Sequence, residues 1–397
     1  MQTTQRLVIV SVAGAFCLWG VVGVLIGALL PDIRHAFSLS TTQAGILIGV
    51  WSASFVVGSW VSARCVRLFR LNTIFVTASA IALLSFAALY LASTIRLFAP
   101  AFVLIGVIMG ISVTIGHSLI GASFPERRTS MLSALDVVFT LGSICAPLGV
   151  IALSTGGLDW QVFYLVLSGA FAILVIGLAA FLPPMTAPDE ARQDAGAKKA
   201  GAFSESYLVL LGLTGLFLGT VEWAQNSWIV SFALVENASE FTAQIGFATY
   251  LGGMLIVRIM TVFTATLLQS GRTPLYLLSL ALIGNVMLIY GPNIVTMMAG
   301  NLLIGLGIGA IFPIALGRAM DFDPAKAASA SATLLMGVIA GSQIAAVFLG
   351  WLADQVGGIG MAFRATTPFF ILLIICFAGF RLRSERNTVR SARDTSL

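Results

Sequence analysis

Twelve apolar runs follow one another along the chain, each close to the roughly 20 residues a helix needs to cross about 30 Å of hydrocarbon. They lie near residues 7–30, 42–63, 72–93, 98–123, 131–154, 161–183, 206–234, 242–268, 274–291, 294–317, 327–353 and 363–381. Lipid offers backbone amides no partner, so a run of this kind must satisfy its own N–H and C=O groups as a helix. Only 9% of residues are charged, against about 25% in soluble domains. A water-facing surface cannot be assembled from so few. The sequence therefore predicts an all-α membrane protein with twelve transmembrane helices. The first run is too long for a cleavable signal and no small-residue cleavage site follows it.

The 21 Lys and Arg residues set the orientation. With the N-terminus in the cytoplasm, 17 of them fall on the cytoplasmic side, among them Arg64, Arg67 and Arg70, Arg127 and Arg128, and five arginines after the last run. Arg34, Arg96 and Arg364 fall outside, and Arg258 falls inside a run. This bias predicts a multi-pass inner (plasma) membrane protein with both termini cytoplasmic. The pI near 9.3 then reflects topology. The basic tail rests near anionic headgroups and needs no nucleic acid. Cys17, Cys65, Cys145 and Cys376 are scattered, with no metal-ligand or disulfide spacing, and read as small apolar packers.

The longest polar stretch, "PPMTAPDEARQDAGAKKAGAFSES" at 183–206, reads as a cytoplasmic linker. On either side the same punctuation returns about 200 residues on. "TTQAG" (41–45) resembles "TAQIG" (242–246), and "IGVIMG" (105–110) resembles "IGLGIG" (304–309). "GSICAP" (142–147) resembles "GSQIAA" (341–346), and "GGL" (156–158) resembles "GGI" (357–359). The order is kept throughout. This predicts two pseudo-symmetric six-helix bundles, 1–183 and 206–381, joined by a linker at 184–205 and followed by a basic cytoplasmic tail at 382–397. Such halves suit a transporter that binds its solute near the midplane and rocks between two open states.

Charge inside a membrane run is expensive, so each instance requires a reason. Glu222, Gln225 and Asn226 fall at i, i+3 and i+4 of "LGTVEWAQNSWIV", on one helical face, with Trp223 and Trp228 to either side. Amides and a carboxylate offer hydrogen bonds to hydroxyls, and aromatic plates suit a sugar's apolar face. Glu222, Gln225, Asn226 and Trp228 are thus the candidate substrate-binding residues. The alternative is helix pairing by Glu222 and plain packing by the tryptophans. His117 near the end of the fourth run and Asp136 near the start of the fifth should reach similar depth across "PERRTS". With Glu222 they are candidate proton-coupling groups, because histidine titrates near neutral pH; a static pair locking two helices is the other reading. Arg258 can meet an anionic solute, neutralise a carboxylate, close a gate or snorkel to the interface. Pro313 must free a backbone carbonyl and kink the tenth helix. Arg64 and Arg67, at a cytoplasmic helix end, complete the set of gating or charge-pairing candidates.

"LLPDIRHAFSLSTTQAG" and "FPERRTSMLSALDVVFTLGSICAPLG" are similar to the first external loop and to the fourth loop and fifth helix of the major facilitator superfamily. The resemblance spans nearly the whole chain. Glu222 with Trp228 six residues on resembles the helix-seven pattern of the fucose–galactose–glucose:proton symporter branch, and "GIGAIFPIALG" and "GWLADQVG" resemble its tenth and eleventh helices. Glu222, Trp228 and Pro313 are the positions this implies are functional. The chain departs from the pattern at Ser62, where that family's second loop carries an acid. It also departs in its first helix, which has no carboxylate, and in its fourth, which has His117. "GWLADQVGG" looks like the second-loop motif but falls on the external side.

The resemblance implies a secondary transporter, proton-coupled and importing a small polar solute such as a sugar. The same carboxylates with aromatic walls also fit a proton-coupled exporter of lipophilic or cationic compounds, and Arg258 fits an organic anion. Its partners are then a small-molecule substrate, protons and the lipid bilayer, and thin aqueous loops favour a monomer. An enzyme would need a nucleophile–base pair or a metal cluster, and an ATP-driven pump a phosphate-cradling loop. The sequence has neither, so no cofactor is expected.

Overall fold

The computed structural model describes residues 2–124, 128–182, 206–269, 272–322 and 327–394. Among them there is no strand. The first six helices are α1 (Gln2–Ala36), α2 (Thr41–Leu68), α3 (Leu71–Leu91), α4 (Ile95–Ser123), α5 (Arg128–Thr155) and α6 (Val162–Phe181). Then come α7 (Ser206–Val235), α8 (Glu240–Gln269), α9 (Thr273–Tyr290), α10 (Ile294–Ile308), α11 (Ile311–Phe322) and α12 (Ala327–Gln343). A π-helical turn (Ile344–Phe348) leads into α13 (Leu349–Val356), α14 (Ile359–Arg364) and α15 (Thr366–Asp394). Together they make 12 spans long and apolar enough to cross a membrane. The tenth span is α10 plus α11, and the eleventh is α12 through α13.

The helices outrun the apolar patterns. The first continues to Ala36, which carries Asp32, Arg34 and His35 into its last turn. The last continues to Asp394, so the stretch from 382, read from sequence as a tail, prolongs α15. The expected linker at 184–205, together with Arg127 and Lys326, lies outside the described residues.

By contacts the chain forms two units, Met1–Ser40 with Ile46–Lys198, and Thr41–Gly45 with Lys199–Leu397. In the first, α1 packs on α4, α5 and α6, and α3 packs on α4 and α6. In the second, α7 packs on α12 and α15, α10 packs on α8 and α9, and α9 packs on α15. Lipid supplies no hydrophobic drive between helices, so close backbone approach and polar contacts must do this work. Asn285 on α9, fully buried, is one such contact. It donates to Thr367 Oγ1 at 2.8 Å and accepts from Thr366 Oγ1 at 3.1 Å, both on α15.

The repeat is visible at atomic detail. A Cβ on Gly20 would land on the carbonyl of Phe139, and one on Gly142 on the carbonyl of Cys17. In the second unit Gly219 stands in the same relation to Val338, and Gly341 to Leu216. Every second-unit number is the first-unit number shifted by 199. The shift also holds between α2–α4 and α8–α10, where Gly106 meets the Trp51 carbonyl and Gly305 the Tyr250 carbonyl. The two units are copies of one packing scheme.

Candidate functional site

In the second unit the sequence places Glu222 midway along α7 and Arg258 on α8. Their side chains are 22% and 26% exposed, and Arg258 Nη2 stands 3.9 Å from Glu222 Oε1. Arg258 also donates from Nε to the carbonyl of Gly309, at 3.3 Å. That carbonyl closes α10. In a continuous helix it would accept from the residue four positions on, but Pro313 has no N–H. The helical hydrogen-bond ladder is interrupted here, although Gly309 keeps right-handed helical dihedrals and the Ala310 carbonyl accepts from the Ile314 N–H at 3.2 Å. Pro31, Pro100 and Pro147 also stand inside helices, and those helices run on.

Elsewhere in the second unit, buried polar atoms lack partners. Gln225 is 1% exposed, and neither its amide nitrogen nor its oxygen makes a hydrogen bond. The same holds for both amide atoms of Asn301, for the Asn226 carbonyl oxygen and for the hydroxyls of Ser227, Ser231 and Tyr250. Tyr250 lies close enough to Glu222 and Arg258 to feel both charges. An unmet buried polar group costs about 1–3 kcal/mol, and native proteins carry few of them.

Trp228 has another setting. It is fully buried, and its indole N–H donates to the Ala345 carbonyl at 2.9 Å. Ala345 lies in the π-helical turn, where widened winding frees carbonyls from their usual donors. The indole N–H is thus engaged in packing inside the unit. No Gly or Pro signals this turn in the sequence.

In the first unit the structure brings His117 and Asp136 together, Nε2 to Oδ1, at 3.9 Å. These side chains are 36% and 62% exposed. His117 meets Phe16 edge-on, with ring centroids 5.0 Å apart. Arg64 lies over the Trp60 ring at 3.4 Å, one turn away on its own helix. Arg67 is exposed. Among the described residues neither arginine meets a carboxylate. Pro313 is exposed.

Sequence reasoning left Asp354 of "GWLADQVGG" without a role. In the second unit, which includes residues 41–45, it caps the first turn of that segment. Its carboxylate accepts from the N–H of Thr41 at 3.2 Å and of Thr42 at 2.8 Å, and from Thr42 Oγ1 at 2.6 Å. A carboxylate at a helix N-terminus meets both orphan amides and the dipole. Among the described residues no group of three His, Cys, Asp or Glu side chains is placed to hold a metal.

Twelve spans built as two copies, with an ion pair and unmet amides inside one of them, define a multi-pass secondary transporter. The family model described as Major Facilitator Superfamily matches residues 11–261, more than half of the sequence, and the chain belongs to that superfamily. It is 24% identical over 396 residues to the glucose/galactose transporter of Brucella abortus biovar 1 (strain 9-941), covering 95% of this chain and 93% of that one. It is 22% identical to the glucose/mannose transporter GlcP of Bacillus subtilis (strain 168), covering 85% of each. The fold is similar to that of the E. coli fucose:proton symporter FucP, with a TM-score of 0.65 at 14% identity, over 96% of this chain and 99% of that one.

Proposed function

We propose that this transporter imports a small sugar together with protons, by alternating access, as a monomer in the inner membrane with both termini cytoplasmic. The observation that carries the reading is the set of unmet amides and hydroxyls on α7, α8 and α10, in the unit that also holds a partly exposed carboxylate–guanidinium pair. A solute with several hydroxyls can donate to Gln225, Asn226 and Asn301 and accept from them, which meets the cost each bears when unmet. Kinship over nearly the whole chain to a glucose/galactose transporter supports a hexose. Orientation and compartment rest on the 17-to-3 split of basic residues.

Glu222 is the main coupling group in this reading. Ionised, it holds Arg258; protonated, it releases that charge and can donate to a sugar hydroxyl. Trp228 shapes the wall by holding the π-helical turn. His117 and Asp136 form a second, more exposed titrating pair with a smaller share in coupling.

The test is uptake of labelled glucose, galactose and fucose into proteoliposomes, with and without an imposed inward proton gradient. Acceleration of one sugar by the gradient, lost in Glu222→Gln, is the expected result. A thermal-shift panel runs alongside, since a ligand that binds only the folded state raises its melting point. Stabilisation by lipophilic cations and by no sugar would overturn the proposal in favour of export.

A further inference from the structure

Pro313 orphans the Gly309 carbonyl, and the side chain that fills the gap is the one that pairs with Glu222. We infer that Arg258 is a positioning residue that ties the charge state of Glu222 to the break between α10 and α11. This deepens the coupling role proposed for Glu222, yet the mechanical link stands or falls by itself.

The repeat supports the assignment. Shifting by 199, Arg258 corresponds to Ser59, Gly309 to Gly110, Pro313 to Thr114 and Glu222 to Gly23. Ser59 Oγ donates to the Gly110 carbonyl at 3.4 Å, the same cross-helix bond that Arg258 makes to Gly309. Thr114 keeps its N–H and adds a hydroxyl bond to that carbonyl at 2.8 Å, and α4 runs unbroken through the site. The second unit has replaced a neutral donor by a cation, a complete hydrogen-bond ladder by one that lacks the bond to Gly309, and a glycine by an acid. Each change alone would be costly. Together they place the guanidinium between the Gly309 carbonyl and a carboxylate that can be neutralised.

The charged surroundings are sparse. The described parts of α7, α9, α10 and α12 carry no charged side chain besides Glu222. On α8 the other is Glu240, in the first turn; α11 carries Arg318 and Asp321, both past Pro313, and on α15, which packs on α7, the first charged residue is Arg381. Tyr250 is a further titratable group close to the pair. With Glu222 neutral, Arg258 loses the ion pair that holds it toward α7. It then has reason to swing toward water and release the Gly309 carbonyl.

Hydrogen–deuterium exchange on the purified full-length protein, without sugar or gradient, tests the link. The readout is exchange in segment 309–317 relative to its repeat-related control, 110–118. Glu222→Gln should raise exchange in 309–317 about tenfold and leave the control unchanged. Arg258→Gln should do the same, and the double variant should show no more than either single. Pro313→Ala, which returns an N–H to the carbonyl, should make the segment insensitive to Glu222→Gln. Unchanged exchange in Glu222→Gln, multiplied effects in the double variant, or equal loosening of the control would each overturn the link. The expected pattern in a protein that moves no sugar would sink the proposed function and leave the link standing.

Discussion

At matching places in the two units a helix carbonyl accepts a bond from the helix beside it, and the donors could hardly differ more. In the first unit a serine donates to Gly110, whose helix is intact. In the second an arginine donates to Gly309, whose ladder bond is removed by Pro313 and whose donor also faces an acid. The backbone framework is shared, since the glycines that allow it recur at a shift of 199. What differs is the chemistry placed on it. Gly23, the first-unit counterpart of Glu222, has no side chain to charge, whereas Glu222 does. One copy has kept the contact as packing and the other has turned it into a switchable element.

If that asymmetry is functional, neutralising the charged copy should have the largest consequence. Glu222→Gln should lower gradient-driven sugar uptake about 100-fold, the scale of removing a positioned proton carrier. Exchange of sugar at equal pH on both sides should suffer far less. The two assays on one preparation decide the matter. Equal losses in both would make Glu222 a substrate contact rather than a coupling group.

The next prediction probes what the units share. Gly341→Ala drives a methyl into the Leu216 carbonyl, and Gly142→Ala does the same at Cys17. Overpacking of a close helix crossing costs about 1–3 kcal/mol. Thermal melting should show both variants destabilised by similar amounts. A tolerant Gly142 beside an intolerant Gly341 would break the claim that the two packing schemes are copies.

The equivalence was partly legible in sequence. "GSICAP" against "GSQIAA" and "IGVIMG" against "IGLGIG" already carry the shift of 199, because close helix crossings admit only small residues and therefore leave punctuation. Apolar runs and the intramembrane acids were legible for the same kind of reason: lipid rejects what does not fit. The Arg258–Gly309 bond was not. It depends on which helix lies beside α10, and a guanidinium on a long stem has several reachable partners. Trp228 was read as a sugar plate because aromatic residues near a carboxylate suit both roles; only the Ala345 carbonyl, exposed by an unsignalled π-helical turn, reveals how its N–H is used. Helix ends ran past the predicted limits because polar residues such as Arg34 continue a helix once it leaves the hydrocarbon.

The ion pair of the first unit offers a milder contrast. His117 and Asp136 match the second pair in separation but are 36% and 62% exposed, and no broken helix hangs on them. Exposed pairs contribute about 1 kcal/mol or less. Asp136→Asn should therefore lower proton-coupled uptake by about fivefold at most, with melting little changed. A loss as large as that of Glu222→Gln would move the main coupling site into the first unit.

The smallest expected effect is the most direct check on the contrast. Ser59→Ala deletes the hydroxyl that stands where Arg258 stands. The Gly110 carbonyl then keeps its own helical N–H and the Thr114 hydroxyl at 2.8 Å. The lost bond is long, at 3.4 Å, and such interhelical bonds average about 0.6 kcal/mol in a membrane. The melting point should fall by less than about 3 °C, and uptake should stay within about twofold of wild type. Arg258→Ala, which strands both Glu222 and the Gly309 carbonyl, should cost several times more in the same assays. Were Ser59→Ala and Arg258→Ala equally damaging, the position would matter as a packing contact in both units, and the charge in the second would have to be explained without the helix break.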